Sequence, residues 1–90
     1  MQKIIYKVLW HQKTIDDFRI LSLDIAIKIK QKVEKYLSLS PETLGKKLIS
    51  KEITLYRYRY GDYRIIYKIE HNPNTITIIR IRHRKNIYDS

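Results

Sequence analysis

The sequence lacks cysteine altogether, which excludes disulfide bonds and thiolate metal sites and is typical of a reducing compartment. Its three histidines, His11, His71 and His83, have no ligand spacing, so we expect neither a metal nor another cofactor. No apolar run approaches the roughly 18 residues that cross a membrane, and early lysines interrupt the N-terminus where a signal peptide needs an apolar stretch. These absences predict a soluble, cytoplasmic protein.

Glycine and proline are scarce, with two of each, and all four fall at predicted turns or at the ends of a predicted short helix. No linker, internal repeat or low-complexity tract divides the chain. A chain of this length buries only about 60 to 65% of its unfolded surface, which limits it to one modest core. We therefore predict a single domain over residues 1–90.

Acidic residues are few as well: 9 of them face 19 lysines and arginines, which gives a net charge of +10. Such a field attracts polyanions and speeds their capture. Six of the seven arginines lie between residues 57 and 84, and the planar guanidinium grips phosphate in a fixed geometry. The charge predicts contact with nucleic acid or an acidic protein, although a solvated basic surface would have the same composition.

The N-terminal half is predicted to contain a strand and two helices. Loose alternation of apolar side chains predicts a strand over Gln2–Trp10. A short helix is predicted after an N-cap at Thr14, with Asp16 and Asp17 in the first turn, where the helix dipole favours acids. Its apolar stripe comprises Ile15, Phe18 and Leu21.

A second helix is predicted to run from an N-cap at Ser22 to about Leu39. The segment IAIKIK alternates as a strand would, but the length of the pattern and the tail QKVEKYL favour a helix. Its apolar stripe comprises Ile25, Ala26, Ile29, Val33, Tyr36 and Leu37. Ser40 and Pro41 then predict a single-turn helix that ends at Gly45.

The C-terminal half is rich in β-branched and aromatic residues. After a loop over Leu48 to Leu55, three strands are predicted over Ile53–Tyr60, Tyr63–Glu70 and Thr75–His83. Gly61-Asp62 is a two-residue loop of type II′, and a second turn covers His71 to Asn74. The order β-α-α-β-β-β predicts an α+β fold with two helices packed on a largely antiparallel sheet.

The hairpin LYRYRYGDYRIIY alternates tyrosine with arginine. The tight turn pairs Tyr60 with Tyr63, Arg59 with Arg64, and Arg57 with Ile66, so the three arginines share one face of the sheet. The opposite face carries Tyr56, Tyr58, Tyr60, Tyr63, Ile65 and Tyr67, which are expected to pack on the helices. Opposed like charges destabilise a hairpin, and an anionic partner would offset this cost. The pattern predicts a phosphate site, or otherwise a sheet face kept soluble by arginine.

A regular second hairpin that pairs Glu70 with Thr75 sets Arg64 opposite Ile81 and places His83 on the arginine face. Arginine and histidine together suit metal-free cleavage of RNA by its own 2′-hydroxyl. The arginines would neutralise charge on the phosphorane, and His83 or Tyr88 would handle protons. The pattern indicates nucleic-acid contact more specifically than it indicates catalysis.

The segments LYRYRYGDYRIIYKIE and ITIIRIRHRKNIYD, with a GKKL loop upstream, resemble toxins of the RelE/ParE superfamily, on the RelE side. The resemblance implies an endoribonuclease that enters the ribosomal A site and cuts mRNA to leave a 2′,3′-cyclic phosphate. It also implies a cognate antitoxin that covers the basic groove. The toxin–antitoxin complex would bind its own promoter DNA through the antitoxin.

The resemblance also implies roles for individual residues. The residues implied in catalysis are Arg57, Arg64, His83, Arg84 and Tyr88, with Arg64 in GDYR at the scissile phosphate. The residues implied in holding RNA are Lys46, Lys47, Arg59, Arg82 and Lys85. Some relatives use a glutamate as general base where this chain has Lys46 and Lys47, so the base is unassigned.

Two further departures leave other functions open. Many relatives have proline at the position of Lys47 and glycine at the position of Thr54, so the chain could be a weakened or inactive toxin. A non-enzymatic RNA-binding domain would keep the basic face without the chemistry. A ParE-like toxin would share the fold and inhibit DNA gyrase, typically without the catalytic residues.

Overall fold

The computed structural model describes residues 4–48 and 54–83. The helical elements are α1 (Gln12–Arg19), α2 (Leu23–Lys32), a π-helical segment Val33–Leu37 that continues α2, and α3 (Pro41–Leu44). The strands are β1 (Lys7–Trp10), β2 (Lys46–Leu48), β3 (Leu55–Tyr60), β4 (Tyr63–Glu70) and β5 (Thr75–His83). They form one sheet in the order β1-β5-β4-β3-β2. β1 and β5 are parallel, and the other neighbouring pairs are antiparallel.

This architecture confirms the predicted α+β fold with helices on a largely antiparallel sheet. The bounds of β4 and β5 agree with the prediction, as does the end of β3 at Tyr60; β3 begins at Leu55, and its predicted start at Ile53 lies outside the described residues. β2 was not predicted, because its three residues are too few for an alternating pattern. None of the helices in the two described ranges has the length and apolar character to cross a membrane.

The first helix begins earlier than predicted. His11, not Thr14, is the N-cap, and its Nδ1 accepts a hydrogen bond from the backbone N–H of Lys13 at 3.1 Å. Thr14 therefore lies inside the first turn, where it is fully buried. The buried face of α1 is also rotated from the predicted stripe, since Ile15 is 52% exposed while Asp17 is 6% exposed.

The second helix follows the prediction more closely. Ser22 is the N-cap, and its hydroxyl accepts a hydrogen bond from the backbone N–H of Ile25 at 3.3 Å. Three of the predicted core positions, Ile29, Val33 and Leu37, have no solvent exposure. Tyr36, which lies in the π-helical segment, is the exception, since its side chain is 52% exposed.

The core lies between this helix and one face of the sheet. Its buried residues are Ile29, Val33, Leu37, Ile65, Tyr67, Ile76, Ile78 and Ile81. The tyrosines Tyr56, Tyr58, Tyr60 and Tyr63 pack against its border, so the predicted tyrosine face of the hairpin is confirmed. The arginines therefore lie on the face of the sheet that turns away from the helices.

Candidate nucleic-acid interface

The central feature of this outer face is a row of three arginines on three neighbouring strands. Arg59 on β3 is the cross-strand partner of Arg64 on β4, and Arg64 is in turn the partner of Arg82 on β5. Directly paired residues of antiparallel strands point to the same face. We call Arg59, Arg64 and Arg82 the arginine row.

A tight turn fixes the first half of the row. Gly61 has φ of +56° and Asp62 does not share this left-handed conformation, which fits the predicted type II′ loop. With a loop of two residues, the hairpin has the predicted pairs of Tyr60 with Tyr63 and Arg59 with Arg64. Arg59 donates from Nε to the carbonyl oxygen of Gly61 at 3.3 Å, and Arg64 reaches the same oxygen from Nη1 at 3.5 Å. The turn thus gathers two guanidinium groups at one carbonyl.

Arg64 is the most buried member of the row, with 8% of its surface exposed. Its second contact is a long hydrogen bond from Nη1 to the carbonyl oxygen of Tyr63 at 3.4 Å. Within residues 4–48 and 54–83, the ion pairs involve Arg19, Lys68, His71 and Arg80 but no member of the row. A buried cation is ordinarily paired with an anion, so the row has the character of an anion site.

Two further basic residues extend this face. Arg57 is opposite Ile66 on one side, as predicted, and opposite Lys46 of β2 on the other. Lys46 and Arg57 therefore lie on the face of the arginine row. Lys47 is opposite Tyr56 and belongs to the helix-facing side, so of the two predicted lysines only Lys46 shares the outer face.

The predicted position of His83 is wrong. A β-bulge inserts Ile79 between Ile78, which pairs with Tyr67, and Arg80, which pairs with Ile66. The shift sets Arg82, not Ile81, opposite Arg64 and pairs His83 with Tyr63. The His83 ring packs edge-on against the Tyr63 ring at a centroid distance of 5.1 Å, on the face opposite the row. Because of the bulge, Arg82 lies on the outer face beside Arg64, where the prediction placed His83.

Arg80 is held apart from the row by Asp17 of α1. Its Nε and Nη2 donate to the two carboxylate oxygens of Asp17, each at 3.0 Å. The hydrogen bond to this carboxylate raises the pKa of the Arg80 guanidinium. The same carboxylate accepts the backbone N–H of Ile81 at 2.8 Å. We call these contacts of Asp17 with Arg80 and Ile81 the Asp17 clamp, which sequence reasoning missed.

A buried tyrosine, Tyr67, fixes the segment of the chain that precedes Lys46. The hydroxyl of Tyr67 donates to the carbonyl oxygen of Pro41 at 2.5 Å, and burial raises the pKa of this tyrosine. Gly45 ends the short helix as its C-cap, as predicted, although its φ of −92° does not require glycine. Space is the reason for glycine, because a Cβ there would lie 1.8 Å from the Tyr67 oxygen. The predicted cap at Ser40 makes no side-chain hydrogen bond.

Three of the predicted site residues, Arg84, Lys85 and Tyr88, lie outside the described residues. Their assignment stays a prediction. Among the other predicted residues, the structure brings together Lys46, Arg57, Arg59, Arg64 and Arg82, and it separates Lys47 and His83 from them.

Comparison with known sequences extends over most of the chain. Residues 8–88 match the family described as ParE toxin of type II toxin-antitoxin system, parDE. Toxin RelE3 of Methanocaldococcus jannaschii is 37% identical over 86 residues, which cover 92% of this chain and 96% of that protein. Toxin RelG of Mycobacterium tuberculosis is 36% identical over 52 residues, which cover 58% of this chain and 60% of RelG.

Solved structures share the fold. A chain of the toxin–antitoxin complex RelBE2 from Mycobacterium tuberculosis superposes with a TM-score of 0.85 at 26% identity, over 92% of this chain and 95% of that one. A chain of the RelB–RelE antitoxin–toxin complex from Methanococcus jannaschii gives a TM-score of 0.63 at 28% identity, over 90% and 95%. The likeness therefore includes the helices as well as the arginine-bearing sheet.

Proposed function

Since the chain belongs to the RelE/ParE superfamily of type II toxin–antitoxin toxins, we propose that it is a ribosome-dependent, metal-free endoribonuclease that cuts mRNA in the A site. The observation that carries this proposal is the arginine row. It places a nearly buried guanidinium between two others, with no carboxylate paired to any of them in the described ranges. Guanidinium groups held in a fixed geometry match the oxygens of a phosphodiester.

The proposed reaction uses a nucleophile that belongs to the substrate. The 2′-hydroxyl attacks the adjacent phosphorus, the bond to the 5′-oxygen of the next nucleotide breaks, and a 2′,3′-cyclic phosphate is left. The phosphorane gains one negative charge over the starting diester, and preorganised cations stabilise that added charge most strongly where water is excluded. Arg64 is the residue of the row best placed for this role, because it is central and the most buried.

The remaining basic residues have supporting roles in this proposal. Arg59 and Arg82 flank Arg64, so they neutralise the same phosphate, while Arg57 and Lys46 hold the neighbouring backbone. Proton transfer remains assigned by prediction to His83 or Tyr88, and Arg84 is predicted to stabilise charge. Because the register turns His83 away from the row, we expect it to contribute less than Arg64.

The proposed partners follow from the charge and the family. Two of the similar structures are toxin–antitoxin complexes, and we expect this chain to bind a cognate antitoxin that covers the basic face. With a net charge of +10, association with an acidic partner gains on-rate from electrostatic steering. Repression of the promoter would act through the antitoxin, and the toxin would act in the cytoplasm, where the ribosomes are.

Cleavage on programmed ribosomes tests the proposal. Arg64→Gln removes the central cation, and a lost transition-state donor of this kind costs about 100-fold or more in rate. Arg19→Gln is the matched control, since Arg19 lies on α1 and, among the described residues, forms an exposed ion pair with Asp16 at 3.4 Å. We expect the control to cut mRNA within A-site codons as the wild type does. Equal cleavage by the two variants, with both folded, would contradict the role of Arg64.

A second candidate is inhibition of DNA gyrase, which is favoured by the ParE description of the matching family. It predicts stalled DNA supercoiling by purified gyrase and no new mRNA ends. A third possibility, RNA binding without chemistry, is favoured by the departures at Lys47 and Thr54. It predicts that ribosomes bind the protein while the mRNA stays intact. Mapping mRNA 5′ ends after expression separates all three functions.

A further inference from the structure

We propose that Asp17 is a positioning residue for the arginine row, which holds the C-terminal end of β5 so that Arg82 stays beside Arg64. The consequence for cleavage rests on the proposed function. The structural part stands on three hydrogen bonds to one carboxylate that is 6% exposed.

The C-terminal end of β5 needs support along the edge that faces away from β4. β1 pairs with β5 only from Thr75 to Ile78, so in the described ranges no strand flanks β5 beyond that point. An outward backbone N–H at such an edge requires another acceptor. Asp17 supplies it, because its Oδ2 accepts the N–H of Ile81 at 2.8 Å.

Along the edge that faces β4, the same segment of β5 is subject to repulsion between like charges. Arg82 and Arg64 are direct cross-strand partners, and like charges in this position destabilise strand pairing. The bulge at Ile79 interrupts the β4–β5 ladder two residues before Ile81, and a bulge leaves the ladder locally disrupted. Repulsion within the row therefore acts where the ladder is least regular.

The Asp17 clamp opposes this repulsion from the other edge. It binds the backbone of Ile81, next to Arg82, and the side chain of Arg80 on the other side of Ile81. α1 is itself fixed to the core through Phe18, which packs against the Trp10 ring at a centroid distance of 5.4 Å. The clamp thus ties the end of β5 to a rigid element, and rigid support is what a preorganised site requires.

Hydrogen exchange tests the positioning role independently of activity. Asp17→Ala removes all three hydrogen bonds, and a charge-assisted bond of this kind changes protection by about 10- to 100-fold. We expect faster exchange at the Arg82 and Ile81 amides, while the Tyr67 and Ile78 amides before the bulge stay as in the wild type. Asp17→Asn keeps one acceptor for Ile81, so it should give an intermediate result.

Asp16→Ala and Asp16→Asn are the matched controls, because the Asp16 side chain is 75% exposed and its ion pair within residues 4–48 and 54–83 is with Arg19, not with β5. Unchanged Arg82 exchange in Asp17→Ala would overturn the proposal. If Asp17→Ala does not fold, Asp17→Asn against Asp16→Asn decides in the same way.

Cleavage then tests the functional consequence. We expect Asp17→Ala to lower the single-turnover rate on programmed ribosomes by about 10-fold or more, with little change in affinity, because misplaced cations act mainly on the transition state. Asp17→Asn should restore part of the rate, and the Asp16 variants should match the wild type. Faster Arg82 exchange with an unchanged rate would overturn the link to catalysis. A wild type that cuts no mRNA would refute the proposed function. The hydrogen-exchange rates of Asp17→Ala would then still decide whether the Asp17 clamp holds the end of β5.

Discussion

Replacing Tyr67 with phenylalanine should destabilise the protein without changing its fold. The Tyr67 side chain is fully buried, and its hydroxyl donates to the carbonyl oxygen of Pro41, which is buried as well. Tyr67→Phe keeps the ring and its stacking on Tyr56 at 5.6 Å. It leaves the Pro41 carbonyl without this donor, and an unsatisfied buried acceptor costs about 1 to 3 kcal/mol.

The expected loss of about 2 kcal/mol corresponds to a fall in Tm of about 8 to 16 °C for a domain of this size. Urea unfolding should show a lower midpoint with an unchanged m-value, since the fold and its exposed surface are the same. Tyr36→Phe is the control, because the Tyr36 side chain is 52% exposed and its hydroxyl can be replaced without leaving a buried acceptor unsatisfied. A Tyr67→Phe variant as stable as Tyr36→Phe would refute the reasoning.

A double-mutant cycle with Gly45→Ala sharpens the test. In the wild type a Cβ at Gly45 would meet the Tyr67 oxygen at 1.8 Å and the ring carbon that bears it at 2.7 Å. Tyr67→Phe removes only the first of these clashes, so Gly45→Ala should cost less free energy of unfolding in that background than in the wild type. Additive effects would mean that the alanine is accommodated by movement of the backbone, not limited by the hydroxyl.

Three other predictions follow from the charges. Burial raises the pKa of Tyr67 above 10.0 in the folded state. The neutral hydroxyl therefore makes its full contribution to the free energy of unfolding below about pH 10. Above that pH the unfolded chain loses the tyrosine proton first, and this contribution falls by up to about 1.4 kcal/mol per pH unit. The difference in unfolding free energy between wild type and Tyr67→Phe should therefore narrow in urea titrations at alkaline pH. A constant difference would contradict the burial of a neutral Tyr67 hydroxyl. Arg59→Gln should reduce the salt dependence of RNA binding by about 0.7 in the log–log slope, whereas Arg19→Gln should leave the slope unchanged, as measured by titration at several salt concentrations. His83→Gln should slow ribosomal cleavage less than Arg64→Gln, and an equal loss would show that the imidazole acts despite lying on the opposite face.

The first hairpin could be predicted residue by residue, because a two-residue loop leaves one register. Gly61 supplies the left-handed φ of +56° that begins such a loop, and every predicted pair of β3 with β4 is found. Local sequence was sufficient because the turn, the alternation and the tyrosine face all indicate the same pairing. In the second hairpin, a register extended from the turn alone was correct at Glu70 and Thr75 but wrong beyond Ile78.

The error in β5 came from extending a regular register through ITIIRIRH. That register would place Arg80 and Arg82 on the helix-facing side, where Ile81 is 4% exposed in the structure. The adjacent isoleucines Ile78 and Ile79 mark the point where the alternation changes phase, and a bulge there brings Ile81 into the core. Hydrophobic alternation was the stronger signal, because burying an unpaired arginine costs far more than one bulge.

Long-range contacts lay beyond sequence reasoning. Asp17 was predicted to interact with the dipole of its own helix, but it binds Arg80, which is 63 residues away. The buried face of α1 is rotated toward this contact, so a carboxylate occupies a place where the pattern predicts an apolar side chain. Gly45 is similar, since the hydroxyl that excludes its Cβ belongs to Tyr67 of β4, which is distant in sequence. In both cases the partner is invisible to local periodicity.

These two missed contacts also explain how the arginine row can remain open to an anion. Asp17 is the one buried acid in residues 4–48 and 54–83, and both of its oxygens are bound by Arg80 and the backbone of Ile81. It therefore supports β5 without neutralising the row. On the other side of the sheet, the Tyr67 hydroxyl fixes the turn before Lys46 through a carbonyl, again without a carboxylate. The Asp17 clamp and the Tyr67 hydroxyl thus fix the two sides of the sheet through contacts that place no carboxylate on the arginine row.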